Sequence, residues 1–130
     1  MGIVSNLLTS ESFRKRPMMY AGNDGFDYLQ AWLRGLQFGL QLATGEEDDD
    51  LNGFREWLHM RLEGPCNTDW VGILAWKYGD DEEGFAKSLV LLDEFLQEIS
   101  RVGREQILEE HADYERRRYG FLASSRFRSR

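Results

Sequence analysis

Apolar residues recur every three or four positions through most of the chain, and this spacing is the period of an α-helix. The clearest case covers residues 26–43, with Asn23 or Asp24 as the N-cap and Gly45 as the stop. Stretches in which apolar and polar residues alternate, as in a half-buried strand, are essentially missing. The sequence therefore predicts an all-α fold, a single-domain bundle of five or six helices with no sheet.

Helix-ending residues divide this pattern into segments: Pro17, Gly45, Gly64, Pro65, Gly79 and Gly103. Between them the spacing predicts a helix over residues 51–62, one from about 68 to 79, and a long one after the acidic residues 80–83, whose charge complements the helix dipole. Another follows Gly103. The central residues of the apolar stripes are expected in the core: Leu33, Leu36, Trp57, Leu58, Leu89, Leu92 and Leu96. Gly35 and Gly39, four apart on one helix, predict that a second helix packs closely there.

The net charge of −7 is distributed unevenly. Residues 41–100 carry four basic and fifteen acidic side chains, whereas residues 101–130 carry eight basic and five acidic ones. An acidic body repels phosphate backbones, so we expect no nucleic acid to bind through it. Residues 1–118 are predicted to form the helical domain and residues 119–130 a basic, flexible tail. We expect this tail to be solvated or to pair with acidic groups, with RNA contact as the alternative.

Location is indicated by what the sequence lacks. Residues 1–8 contain neither the basic nor the apolar segment of a signal peptide, and nowhere do 18 uncharged apolar residues follow one another. Cys66 is the single cysteine and has no partner for an intrachain disulfide, which favours a reducing compartment. We therefore expect a cytoplasmic protein that does not span a membrane.

Residues that carry catalysis or bind metals are sparse. His59 and His111 are the only histidines, lie on different predicted helices, and have no second histidine or cysteine at ligand spacing. His111 follows two glutamates without forming the Glu-x-x-His pattern of carboxylate-bridged metal sites, so we expect it on a solvated face. A nucleophilic Cys66 would need His59 beside it. The sequence predicts no catalytic residue, no metal site and no cofactor.

Two acidic runs and two tryptophans are the candidate partner-binding residues. Five consecutive carboxylates are more than a helix start needs, and such a surface speeds encounter with a basic partner. A solvated loop and a dipole-complementing helix start are the alternative interpretation. Trp70 and Trp76, six residues apart, do not share one buried stripe, so we expect one of them to be an exposed anchor. The full set is Glu46, Glu47, Asp48, Asp49, Asp50, Trp70, Trp76, Asp80, Asp81, Glu82 and Glu83.

One local stretch, residues 14–22, resembles the arginine-proline-glycine-methionine-tyrosine segment of gyrase-type ATPase domains. Met18 stands where that family has glycine, and the helix that follows has Asp27 as its only acid and no asparagine to hold magnesium. We therefore interpret the stretch as a local structural motif in which Pro17 ends a helix, and we do not predict an ATPase.

A broader resemblance covers residues 13–97. The order of segments is Arg16-Pro17-x-Met19-Tyr20, an aromatic helix, Phe54-x-x-Trp57-Leu58, a tryptophan-led helix, and Phe85 with Leu92-x-x-Phe95-Leu96. This order resembles the small bacterial immunity proteins, which are encoded beside secreted toxins. The resemblance implies a cytosolic inhibitor that binds one toxin domain stoichiometrically; with the acidic runs, we expect it to occlude a basic active-site cleft. An adaptor for another basic or helical partner and a small helical enzyme are the alternatives, and the chain allows a homo-oligomer.

Overall fold

The computed structural model describes residues 2–17, 26–45, 51–79 and 81–128, with side chains omitted at 26–29, 44 and 120–128. Within these ranges the chain is helical and contains no strand, which confirms the all-α fold. The described helices number seven: α1 (Ile3–Thr9), α2 (Glu11–Lys15), α3 (Phe26–Thr44), α4 (Phe54–Leu62), α5 (Trp70–Tyr78), α6 (Glu82–Val102) and α7 (Arg104–Arg128).

Ser10 divides the first predicted helix into α1 and α2. Its backbone is extended, and its hydroxyl donates to the Leu7 carbonyl at 2.9 Å and accepts from the Phe13 N–H at 3.2 Å. The same residue therefore closes one helix and caps the next. α2 then ends at Lys15, two residues before Pro17, as the helix-breaking role of proline predicts.

Aspartate caps fix where α5 and α6 begin. The Asp69 carboxylate accepts from the Gly72 N–H, and that of Asp81 accepts from the Gly84 N–H, each at 2.8 Å. Gly103, with φ at 86°, ends α6 and separates it from α7, as predicted. The backbone of α7 continues as helix beyond residue 118 to Arg128, and the domain boundary proposed there stays a prediction.

The core is built from aromatic and aliphatic side chains of all seven described helices. Phe54 lies at its centre, with ring centroids 4.9 Å from Phe95 and 5.5 Å from Trp70. Among the predicted core residues, Leu33, Trp57, Leu58 and Leu92 are buried, while Leu36, Leu89 and Leu96 are partly buried and pack against the same cluster.

Arg14 ties the N-terminal helices to α6. Its guanidinium donates two hydrogen bonds to the Asp93 carboxylate, at 2.7 and 2.9 Å, and a third to the Leu8 carbonyl at 2.7 Å. The hydrogen bond to Asp93 raises the pKa of Arg14 more than burial lowers it. This bidentate pair fixes α2 against the core.

The outer face of α3 is uncovered by the described residues. A Cβ atom built on Gly35 or Gly39 meets nothing within 4 Å, so the predicted close packing of a second helix at these glycines is wrong within the described chain. Phe38 and Leu42, on the same face, are 62% and 71% exposed. Searched over the described residues, none of the helices is sufficiently long and apolar to cross a membrane.

Candidate functional site

Trp76 is the exposed member of the two candidate tryptophans. It lies in the last turn of α5 and is 56% exposed, whereas Trp70, one and a half turns earlier, is partly buried against Phe54. The expectation that only one of the two faces solvent is confirmed. An exposed indole at a helix end is an apolar surface that a partner protein can cover.

The end of α4 supports the Trp76 ring. A Cβ atom on Gly64 would lie 3.1 Å from Cζ3 and 3.3 Å from Cε3 of that ring, so a side chain there would require the indole to move by a few tenths of an ångström. The preceding residue, Glu63, ends α4 in the left-handed conformation, with φ at 51°. The turn after α4 therefore packs against the Trp76 ring.

Acidic side chains follow Trp76 closely in the chain, at the start of α6. Asp81, Glu82 and Glu83 are all exposed. Asp81 is engaged as the cap of α6, and Glu83 pairs with Lys87 at 3.2 Å. Gly84, the next residue, is buried. A Cβ atom there would approach the Tyr78 carbonyl to 2.5 Å, so α6 packs tightly against the end of α5 at this point.

The fifteen acidic residues of the segment 41–100 divide into four groups. Asp81 caps a helix, and seven form ion pairs within the chain: Glu56, Glu63, Asp69, Glu83, Asp93, Glu94 and Glu98. Glu82 is in no ion pair among the described residues. The other six, Glu46, Glu47, Asp48, Asp49, Asp50 and Asp80, lie outside the described residues. Most described carboxylates in this segment are therefore compensated, and the excess negative charge falls on the two acidic runs.

The structure also brings together His59 of α4 and His111 of α7, which lie on different helices, as predicted. His59 is fully buried and His111 is 6% exposed. The solvated face predicted for His111 is therefore wrong, because α7 turns this side chain into its contact with α4. The His59 Nδ1 atom lies 2.9 Å from the His111 Nε2 atom.

A directed chain of hydrogen bonds satisfies both rings when they are neutral. The Tyr119 hydroxyl, 3.5 Å from His59 Nε2, is placed to donate to it, and His59 Nδ1–H is placed to donate to His111 Nε2. The other nitrogen of His111, Nδ1, lies 3.3 Å from a carboxylate oxygen of Glu115. Tyr114 closes the cluster with its ring edge-on to His59 at 5.3 Å.

Burial and positive neighbours keep His59 neutral. Burial is the largest cause that lowers the pKa of His59, followed by His111, Arg55 and Arg118, while Glu115 opposes them. A neutral imidazole is the form that the chain of hydrogen bonds requires. The electrostatic surroundings and the hydrogen-bond geometry therefore favour the same protonation state.

The sequence contained only a weak signal for this pair. Ile107, His111 and Tyr114 are spaced as one helical face, which marks His111 as facing inward, but no local pattern states which helix it meets. Within the described ranges, no group of three or more His, Cys, Asp or Glu side chains is arranged to hold a metal ion. Cys66 lies exposed in the loop between α4 and α5.

Two concave regions lie elsewhere on the molecule. One is an apolar cleft between α5 and α6, lined among others by Trp70, Leu74, Phe85 and Leu92. The other lies between α4 and α6 and is lined by Trp57, Arg61, Glu94, Gln97, Glu98 and Arg101. Neither includes a histidine. No protein-family model, curated protein or solved structure matches this chain.

Proposed function

We propose that this chain is a non-catalytic binding protein that holds a basic protein partner at the surface formed by Trp76 and the start of α6, residues 81–83. The observation that carries the proposal is Trp76, an exposed indole seated on Gly64 immediately before an acidic helix start. A ring that is already held in place loses little conformational freedom when a partner covers it. Charge draws the partner in, and the indole then retains it.

The partner we propose is a toxin domain with a basic active-site cleft, which makes this chain a cytoplasmic immunity protein. Enzymes that act on nucleic acids or nucleotide phosphates present basic surfaces around their active sites, and an acidic protein bound there excludes the substrate. Two features support a binding role over a small helical enzyme. His59 and His111 are buried, and the charges of most described carboxylates are compensated within the chain.

Affinity purification from source cells with the intact chain tests the proposal. We expect a basic protein to be retained by the parent chain and largely lost from Trp76→Ala. Phe38→Ala is the matched variant, because Phe38 is similarly exposed at 62% but lies on α3; it should retain the partner. Equal retention by both variants would show that the Trp76 surface is not the binding site.

Binding kinetics with the captured partner separate the electrostatic contribution to association from the contribution of Trp76 to holding the complex together. Neutralising residues 46–50 as amides should slow association at low salt and flatten its salt dependence, whereas Trp76→Ala should mainly speed dissociation. The second acidic run is tested with the double variant Asp80→Asn, Glu82→Gln. Its control is the double variant Glu105→Gln, Glu109→Gln, which removes the same charge from exposed positions on α7. If the two double variants associate equally fast, the start of α6 has no special role.

The identity of the partner distinguishes an immunity protein from an adaptor. A partner that is toxic when expressed without this chain, and harmless when co-expressed with it, supports immunity. A partner that is harmless alone supports the adaptor alternative, and the binding surface proposed above would still apply to it.

A further inference from the structure

The buried histidine pair joins two helices that are distant in the sequence. His59 belongs to α4 and His111 to α7, and the hydrogen bond between the two rings is buried. Polar contacts of this kind exist only while each group keeps the protonation state that its partner needs. The contact between α4 and α7 therefore contains two imidazole rings whose shared hydrogen bond depends on their protonation state.

Apolar burial contributes little to the described part of this contact. Over residues 104–119 of α7, Ile107 is the one fully buried aliphatic side chain, and Leu108 is 37% exposed. The rest of the docked face consists of His111, Tyr114 and Tyr119, which gather around His59. The docking of α7 thus depends strongly on ring contacts, and two of these rings, His111 and Tyr119, are within hydrogen-bond distance of His59.

Charged groups surround the pair asymmetrically. Arg55 of α4 and Arg118 of α7 act against a positive charge on His59, and Glu115 of α7 favours one. On the neighbouring helices, Glu94 of α6 is paired with Arg61 at 2.9 Å, and Asp69 at the start of α5 is paired with Arg34 at 2.9 Å. Glu115 is therefore the carboxylate placed to compensate a proton on the pair.

We propose that the His59–His111 pair is a pH-sensitive clasp, which holds α7 on α4 while at least one ring is neutral and releases α7 when both are protonated. One proton from solvent is tolerated, because an imidazolium still donates to a neutral imidazole. A second proton removes the last acceptor and places two positive rings in contact within the interior, with one carboxylate beside them. Both protons return to solvent when the pH rises, so the release is reversible.

The sign and the pH window follow from the environment of His59. Its pKa is lowered, first by burial and then by His111, so His59 stabilises the fold above the ordinary histidine value of about 6.5. This stabilisation is lost as the pH falls below that value towards the lowered pKa. The release of α7 is accordingly expected below pH 6.5, in a range where most carboxylates are still ionised.

Spin-label distances test the clasp in the full chain. One label is placed on the native Cys66, which is exposed after α4, and the other on α7 through Ala112→Cys, at an exposed position. We expect one narrow distance distribution at pH 7.5 and a longer, broad distribution at pH 5.0 that reverses on neutralisation. An unchanged distribution at pH 5.0 would overturn the proposal.

A pair of uncharged replacements separates the histidines from other titrating groups. His59→Asn with His111→Gln keeps a donor and an acceptor near the two ring nitrogens and removes the titration. The labelled variant should keep the narrow distribution at both pH values; if it broadens as the parent does, other groups drive the change and the clasp is wrong. Should circular dichroism show this variant unfolded, NMR titration of the two histidine rings in the parent decides. The chemical shifts of the α7 amides must change together with the protonation step that occurs at the lower pH. If they do not change there, the clasp is wrong.

Discussion

Replacing Leu92 by alanine tests how the core of α6 is packed. The side chain is 2% exposed and lines the apolar cleft between α5 and α6. The substitution removes three carbon atoms, which at about 0.8 kcal/mol per buried methylene amounts to about 2.4 kcal/mol of lost transfer free energy. Because the site borders a cleft, water can enter the vacated space, and we expect the cost to stay near the lower end of the usual range of about 2–5 kcal/mol.

Urea unfolding followed by tryptophan fluorescence measures this cost. The midpoint should fall while the dependence on urea concentration stays unchanged, since the same surface is exposed on unfolding. Val90→Ala is the matched variant on the same helix, 58% exposed, and should change the free energy of unfolding by less than about 0.5 kcal/mol. A Leu92→Ala midpoint equal to that of the parent, or equal losses in both variants, would refute the assignment of the buried face.

Three further substitutions examine the helix ends and glycines. Asp69→Ala, which removes the cap of α5, should cost about 1–2 kcal/mol in urea unfolding, and Asp69→Asn less. Burial raises the pKa of Asp69, but the hydrogen bonds from Arg34 and Gly72 lower it by more, so the net pKa is lowered. The greater stability of the parent over Asp69→Asn should therefore be lost as the pH falls below about 3.9. A stability difference that persists at lower pH would contradict this. Glu63→Gly relieves the backbone strain of a non-glycine residue in the left-handed conformation and should raise the melting temperature by a few degrees. Glu63→Ala removes the carboxylate but keeps this strain, so it should not raise the melting temperature. Gly84→Ala should destabilise by more than about 1 kcal/mol, because its Cβ meets backbone, and equal stability with the parent would show that α6 shifts freely.

The sequence predicted the helices well because their information is local. Apolar spacing and a helix-ending residue are contained within one segment, so the end of α5 before Gly79 and the end of α6 before Gly103 followed directly. The break at Ser10 was missed because a serine between two short apolar stretches resembles any polar position on a helix.

What the sequence did not predict depends on which helices meet. The spacing of Ile107 and His111 marks an inward face, yet only the packing of α7 on α4 shows that His59 is its partner. Gly35 and Gly39 led to the opposite error, since their spacing indicates a close helix contact that the described residues do not make. That one of Trp70 and Trp76 is exposed was predicted, because six residues exceed the width of one buried stripe, but the structure was needed to show that it is Trp76.

The open face of α3 has a consequence for how the native molecule opens. Two exposed glycines within a helix each reduce its stability by about 1 kcal/mol relative to alanine, and neither gains a contact with described residues in return. α6, by contrast, buries Leu91, Leu92 and Phe95. Amide hydrogen exchange should therefore be faster in α3 than in α6, and the first sub-global opening should separate Trp32 from Phe13 while Phe54 and Phe95 remain in contact.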